Sequence, residues 1–154
     1  MTEDADAALA AMKQMAGIDF IRAMAEGRVP QAAMHALFNI RESVIAEGHV
    51  RFASRPEARF YNPIGSVHAG FAATVLDSCM GCAVHTMLPA GQGYTTLEFK
   101  INLVRPITEA TGQVWGEGRV LHAGRRVASA EGKLTDDTGK LLAHATTTCL
   151  IFPL

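Results

Sequence analysis

The stretch from Val67 to Met87 restricts the fold more than any other part of the chain. Between Phe60 and Leu97 only one side chain is formally charged, Asp77. The rest of the run is small or apolar, with Ala69, Gly70, Ala72, Ala73, Ser78, Gly81 and Ala83 distributed all round a helical projection. Such a segment predicts a helix of about 20 residues enclosed on every side by other structure. Ser66 stands where an N-cap belongs, and Pro89-Ala90-Gly91 stops the run. An Asp at mid-span costs roughly 2.5–3.5 kcal/mol on membrane insertion, which argues against a transmembrane helix. In a protein core the same carboxylate loses hydration, so it needs a partner or a task. Buried acids of this kind cluster at functional sites.

The flanking segments say what encloses the helix. Residues 4–26 carry Leu9, Met12, Met15, Ile18, Phe20, Ile21 and Met24 at roughly helical spacing, which predicts one or two helices ending near Gly27. Pro30 breaks the chain, and a short helix over residues 31–37 is expected. Residues 39–54 read as a hairpin about Glu47-Gly48, and residues 55–66 as a loop with Pro56, Asn62, Pro63 and Gly65. After the apolar run, Thr96, Glu98, Lys100 and Asn102 alternate with Leu97, Phe99, Ile101 and Leu103, a period-2 strand pattern closed by Pro106. Strands over 112–122, 125–135 and 140–152 follow, joined by Ala123-Gly124 and Asp136-Asp137-Thr138-Gly139. Short turns favour an antiparallel meander over parallel winding. The expected fold class is α+β: one long helix wrapped by a curved antiparallel sheet over residues 38–154, preceded by a helical extension over 1–37.

Composition excludes several roles. A net charge of −1 and a pI near 6.6 do not suit a general nucleic-acid binder. Charged residues at 19% are few enough that part of the surface is expected to be covered in an oligomer. Cys79, Cys82 and Cys149 are an odd number in apolar contexts, which fits a reducing, cytoplasmic compartment better than a disulfide framework. The acidic N-terminus lacks the basic region of a secretion signal. Cys79-Met80-Gly81-Cys82 lies well inside the helix, where neither a redox pair nor a four-ligand zinc site is expected.

The block Asn62-Pro63-Ile64-Gly65-Ser66-Val67-His68-Ala69-Gly70-Phe71, with Asp77 after it, resembles the signature of hotdog-fold acyl-CoA thioesterases of the phenylacetic-acid-degradation (PaaI-like) branch. Thr95 to Pro106, Gly124-Arg125-Arg126 and Ala145 to Thr148 are similar to the family as well, and the likeness covers about residues 38–152. It implies hydrolysis of an acyl-CoA with aryl or medium-chain acyl group, without metal or bound cofactor, coenzyme A being part of the substrate. It implies that the Ala69 N–H, with Gly70 beside it, holds the oxyanion, and that Asp77 is general base or nucleophile. Asn62 and His68 would orient the thioester and hold the loop, and Thr96 or its neighbour Thr95 would position water. The family's His-Gly-Gly is His68-Ala69-Gly70 here. Alanine serves if only its N–H is used, and is strained if a positive φ is required. Arg125 and Arg126, ahead of Lys100 and Arg105, are the expected contacts to the CoA phosphates.

Helix geometry adds a constraint of its own. His68 and Asp77 are nine residues apart, about 900° of rotation and about 13.5 Å of rise on a helix, so they face opposite sides. If both act on one bond, the site spans two copies related by a two-fold axis. A homodimer with shared sites is therefore expected, pairing into a homotetramer. A hotdog hydratase or dehydratase and a non-catalytic acyl-CoA-binding module are the rival readings; the order Asn62, His68-Ala69-Gly70, Asp77 favours the thioesterase.

Overall fold

The apolar run forms a single helix over Ala69–His85. In the computed structural model, which describes residues 2–154, it is the fourth of four helices: α1 (Glu3–Gln14), α2 (Gly17–Ala25), α3 (Ala33–Leu37) and α4 (Ala69–His85). Met1, the first residue of the expected N-terminal extension, lies outside the described residues. Six strands accompany them: β1 (Arg41–Ala46), β2 (His49–Ser54), β3 (Gln92–Leu103), β4 (Val114–Ala123), β5 (Val127–Asp136) and β6 (Leu141–Pro153). The strands form one antiparallel sheet in the order β1-β2-β4-β5-β6-β3. α4 packs against β2 through β6, so the sheet bends around it. The expected α+β class is what the chain adopts.

Three features differ from the expectation. First, the meander holds for β4-β5-β6 only: β3 crosses to the far edge beside β6, and β2 takes the place next to β4. Second, α4 begins at Ala69 with His68 as its N-cap, not Ser66. Val67 is held extended by a bridge to Tyr61 and by donating to the Ile107 carbonyl (2.8 Å), so the helix cannot start earlier. Third, α4 is not enclosed on every side. Gly70, Ala73, Thr74, Asp77 and Ser78 are only partly buried, and their spacing i, i+3, i+4, i+7, i+8 makes one stripe. The chain supplies too few strands to cover that stripe.

Elsewhere the helix is pressed against the sheet backbone. A Cβ at Gly118 would stand 2.3 Å from the Cys79 carbonyl oxygen, and one at Gly116 would stand 2.7 Å from Val75 and from the Cys79 sulfur. Glycine is required there by close approach. On the sheet's other face, Trp115 lies under the Arg51 guanidinium (4.1 Å) and donates to Asp137 (2.7 Å).

The N-terminal helices close the far end of α4. Phe20, Ile21, Ala23 and Met24 of α2 belong to the same core as Val75, Leu76, Met80 and Val84 of α4. His85 is stacked on Phe20 (5.1 Å) and meets the edge of Tyr94 (5.7 Å). Burial pushes its pKa down from 6.5 to about 4. The unfolded chain therefore binds a proton near pH 6.5 that the folded chain refuses until about pH 4. The contribution is whole above pH 6.5 and is lost as pH falls from there to about 4, of order 3 kcal/mol at the limit. Melting curves from about pH 7 to about pH 4.5 are expected to show a smaller loss of Tm in His85→Phe than in the wild type. Parallel curves would show that His85 is not the proton acceptor.

No helix among the described residues is long and apolar enough to cross a membrane.

Candidate active site

The loop before α4 is built around Asn62. Its Oδ1 accepts from the backbone N–H of Ile64 (3.1 Å) and Ser66 (3.2 Å), and its Nδ2 donates to Ser66 Oγ (3.0 Å). The side chain is thus occupied in shaping residues 62–66, the turn role expected of an Asn before Pro. Phe60 continues the brace, stacked on Phe38 (5.0 Å) and tilted against Phe71 (5.4 Å).

His68 then caps the helix. Its Nδ1 accepts from the Gly70 N–H at 2.9 Å, which places the ring proton on Nε2. The close turn needs a small residue at position 70: a Cβ there would stand 3.0 Å from Nδ1. With Gly70 taken, the Ala69 N–H is left without an acceptor among the described residues. It points out from the helix N-terminus, where the dipole favours negative charge. Asn39 is the only described non-glycine residue at positive φ, so Ala69 is unstrained and the alanine in the His-Ala-Gly motif is harmless.

Asn62, His68 and Ala69 share a cleft of about 320 Å³ with Ser66, Ala72 and the end of β3 with the chain beyond it, Leu103 to Ile107. Arg105 lines it, donating to the Leu141 carbonyl. Placing this arginine at the cleft needed the long-range docking of residues 103–107 on the helix start, which the sequence does not display.

Asp77 lies two turns further along α4. Its Oδ1 accepts from the Thr96 hydroxyl at 2.9 Å, so of the two threonines Thr96 is the one in contact with Asp77. It is partly buried rather than enclosed, on the stripe the sheet leaves open. The strict alternation read for β3 breaks here. The register to β6 shifts between Thr96 and Glu98, so Leu97 is the extra residue of a β-bulge. Thr96 consequently faces α4 together with Phe99 and Ile101, while Leu97 (57% exposed) and Glu98 face solvent.

Within one chain, then, Asn62, His68 and Ala69 come together, and Asp77 and Thr96 come together, about 12 Å apart along the helix axis. Arg125 and Arg126 are exposed in the β4–β5 turn, apart from both groups in sequence and cleft. The Arg126 carbonyl accepts from Ile151 N and ties that turn to β6. The three cysteines are buried and free, and burial pushes the Cys82 thiol up to about 12. No three described His, Cys, Asp or Glu side chains converge as a metal set.

Residues 64–143, just over half the chain, match the profile of the thioesterase superfamily. The chain belongs to that superfamily. The proofreading thioesterase EntH of Klebsiella pneumoniae is 32% identical over 84 residues, 54% of this chain and 60% of EntH. The match thus spans less than two thirds of that curated relative. Among solved structures, a phenylacetic acid degradation-related protein of Ralstonia eutropha, a putative thioesterase, is 28% identical with a TM-score of 0.78, covering 84% of this chain and 97% of that one. A Streptococcus mutans protein bound to acetyl-CoA shares the fold at 23% identity, with a TM-score of 0.68 and coverage of 75% and 90%. The hotdog fold and the PaaI-like resemblance read from the motif blocks are therefore established.

Proposed function

We propose that this thioesterase-superfamily member hydrolyses an aryl- or medium-chain acyl-CoA to the free acid and CoA, in a homodimer whose sites lie between subunits. The observation that carries this is the pair of separated half-sites on α4: a carboxylate held by Thr96 on an uncovered stripe, and one unoccupied N–H at the helix start. Family membership supports the reaction class, and the acetyl-CoA in the S. mutans relative supports the substrate class.

The Ala69 N–H receives the thioester oxygen as it gains charge. Asp77 has one oxygen engaged by Thr96 and the other free to take a proton from water. Water oxygen bonds to the carbonyl carbon, the carbon–sulfur bond breaks, and the proton held by Asp77 passes to the departing thiolate. His68 Nε2–H and the loop braced by Asn62 border the same cleft and orient the thioester. Arg125 and Arg126, exposed and without an ion-pair partner among the described residues, are assigned to the CoA phosphates.

The dimer follows from the open edge. β3 is a 12-residue edge strand, and long unprotected edges invite pairing. The uncovered stripe of α4 lies on that side, because Asp77 reaches Thr96 on β3. Pairing two β3 edges about a two-fold axis sets stripe against stripe and brings Ala69 of one copy toward Asp77 of the other. A homotetramer of two such dimers completes the proposal.

A panel of aryl- and alkyl-CoA esters assayed for free thiol tests the function. Thiol release from saturated esters is expected, with no 3-hydroxyacyl-CoA formed from 2-enoyl-CoA. Hydration of the enoyl group would make the chain a hydratase. Binding without turnover across the panel would make it a binding module.

A further inference from the structure

The bulge at Leu97 resolves a conflict in β3. Phe99 and Ile101 must face α4 to complete the core, and Thr96 must face α4 to reach Asp77. In a regular strand, residues 96 and 99 point to opposite faces, because side chains alternate. One inserted residue brings both to the same side. The pairing of Thr96 with Asp77 therefore depends on the bulge staying where it is.

One buried side chain is placed to hold it. Thr147 of β6 is 3% exposed, and its hydroxyl donates to the Glu98 carbonyl at 2.7 Å. Glu98 is the first residue past the bulge, and Thr147 is the cross-strand partner of the next one, Phe99. A hydroxyl in the core wall costs stability unless it is bonded. The ladder at a bulge is disrupted and gains from an added donor. Cys149, directly opposite Thr96 in the β3–β6 register and two residues beyond Thr147, is buried as well. Thr147 and Cys149 thus share the core-facing side of β6, opposite the two ends of the bulge.

We propose that Thr147 is a positioning residue for the hydrolysis: by bonding the Glu98 carbonyl it fixes the Leu97 bulge and so keeps the Thr96 hydroxyl on Asp77. This rests on the thioesterase reading above. Thr147 does not touch substrate and acts through the β3 backbone.

Thr147→Val keeps the shape and removes the hydroxyl; Thr147→Ser keeps the hydroxyl. With an acyl-CoA the wild type hydrolyses, Thr147→Val is expected to lower kcat at least about tenfold, as small misplacements at a reacting centre do, with KM within about twofold. Thr147→Ser is expected to stay within about twofold of wild type in both. Thr147→Cys, a weak donor of similar size, replaces the valine variant if that one does not fold, and should fall below the serine variant in kcat. A valine variant with wild-type kcat, or equal losses in the valine and serine variants, overturns the proposal. Thr96→Val and Asp77→Asn serve as reference. If neither changes the rate, the functional reading fails instead of this inference.

Discussion

Asp77→Asn is expected to lower kcat for acyl-CoA hydrolysis by about two to four orders of magnitude, the usual contribution of a positioned general base. The substitution is conservative for the fold. An amide oxygen can still accept from Thr96, so the bond that holds the side chain at 2.9 Å in the wild type has a counterpart in the variant. Only the ability to take a proton or attack carbon is removed. Melting temperature and oligomer size should therefore stay near wild type while thiol release collapses. A variant with activity within about tenfold of wild type would remove Asp77 from the chemistry.

Ala69→Pro is expected to cost about 10²–10³ in kcat, the loss typical of deleting one oxyanion donor. The change deletes a single hydrogen-bond donor and sets the ring Cδ in its place, while leaving the helix start intact. Ala69 is the first residue of α4, where its N–H has no intrahelical acceptor and where proline is favoured. His68 before it has φ −59° and ψ 143°, a conformation that proline accepts in its neighbour. The two variants together test the shared site. Mixed and allowed to exchange, Asp77→Asn and Ala69→Pro subunits place one intact half of each kind at one of the two sites of every heterodimer. Random exchange is expected to recover about a quarter of wild-type activity. Exchange confirmed by labelled subunits without any recovery would place both groups of each site in one chain.

The positions of these groups were legible in the sequence to different depths. The α+β class, the long helix, the hairpins and Asp77 followed from periodicity, turn residues and a single charge in an apolar run. Those are local signals, and the structure keeps them. The N-cap did not follow, because Val67 is held extended by Ile107, forty residues away, and no local pattern at Ser66 reports that. The partnership of Thr96 with Asp77 came from the family resemblance, whereas the alternation pattern placed Thr96 on the face of Glu98. A bulge inserts a residue without marking its place in the pattern, so the count of two fails at Leu97. β3 was recognisable as a strand, but its place at the far edge depends on the crossover after Pro106 and on which strands β2 occupies. The exposed stripe of α4 was hidden for a related reason: a residue pattern reports that a face is small and apolar, not whether the same chain covers it.

Gly116 and Gly118 carry a further consequence, for how such a protein tells one acyl group from another. They leave no gap between α4 and the middle of the sheet, where even a methyl at position 118 would meet the Cys79 carbonyl. A longer or bulkier acyl tail cannot be admitted by lifting the helix off its bed, since that would separate backbone from backbone along β4. The described cleft lies instead at the rim, beside Leu103 and Val104. Under the proposed function, substrate range would be set at this margin. Rim side chains can be exchanged to widen or narrow it while the packed centre stays as it is.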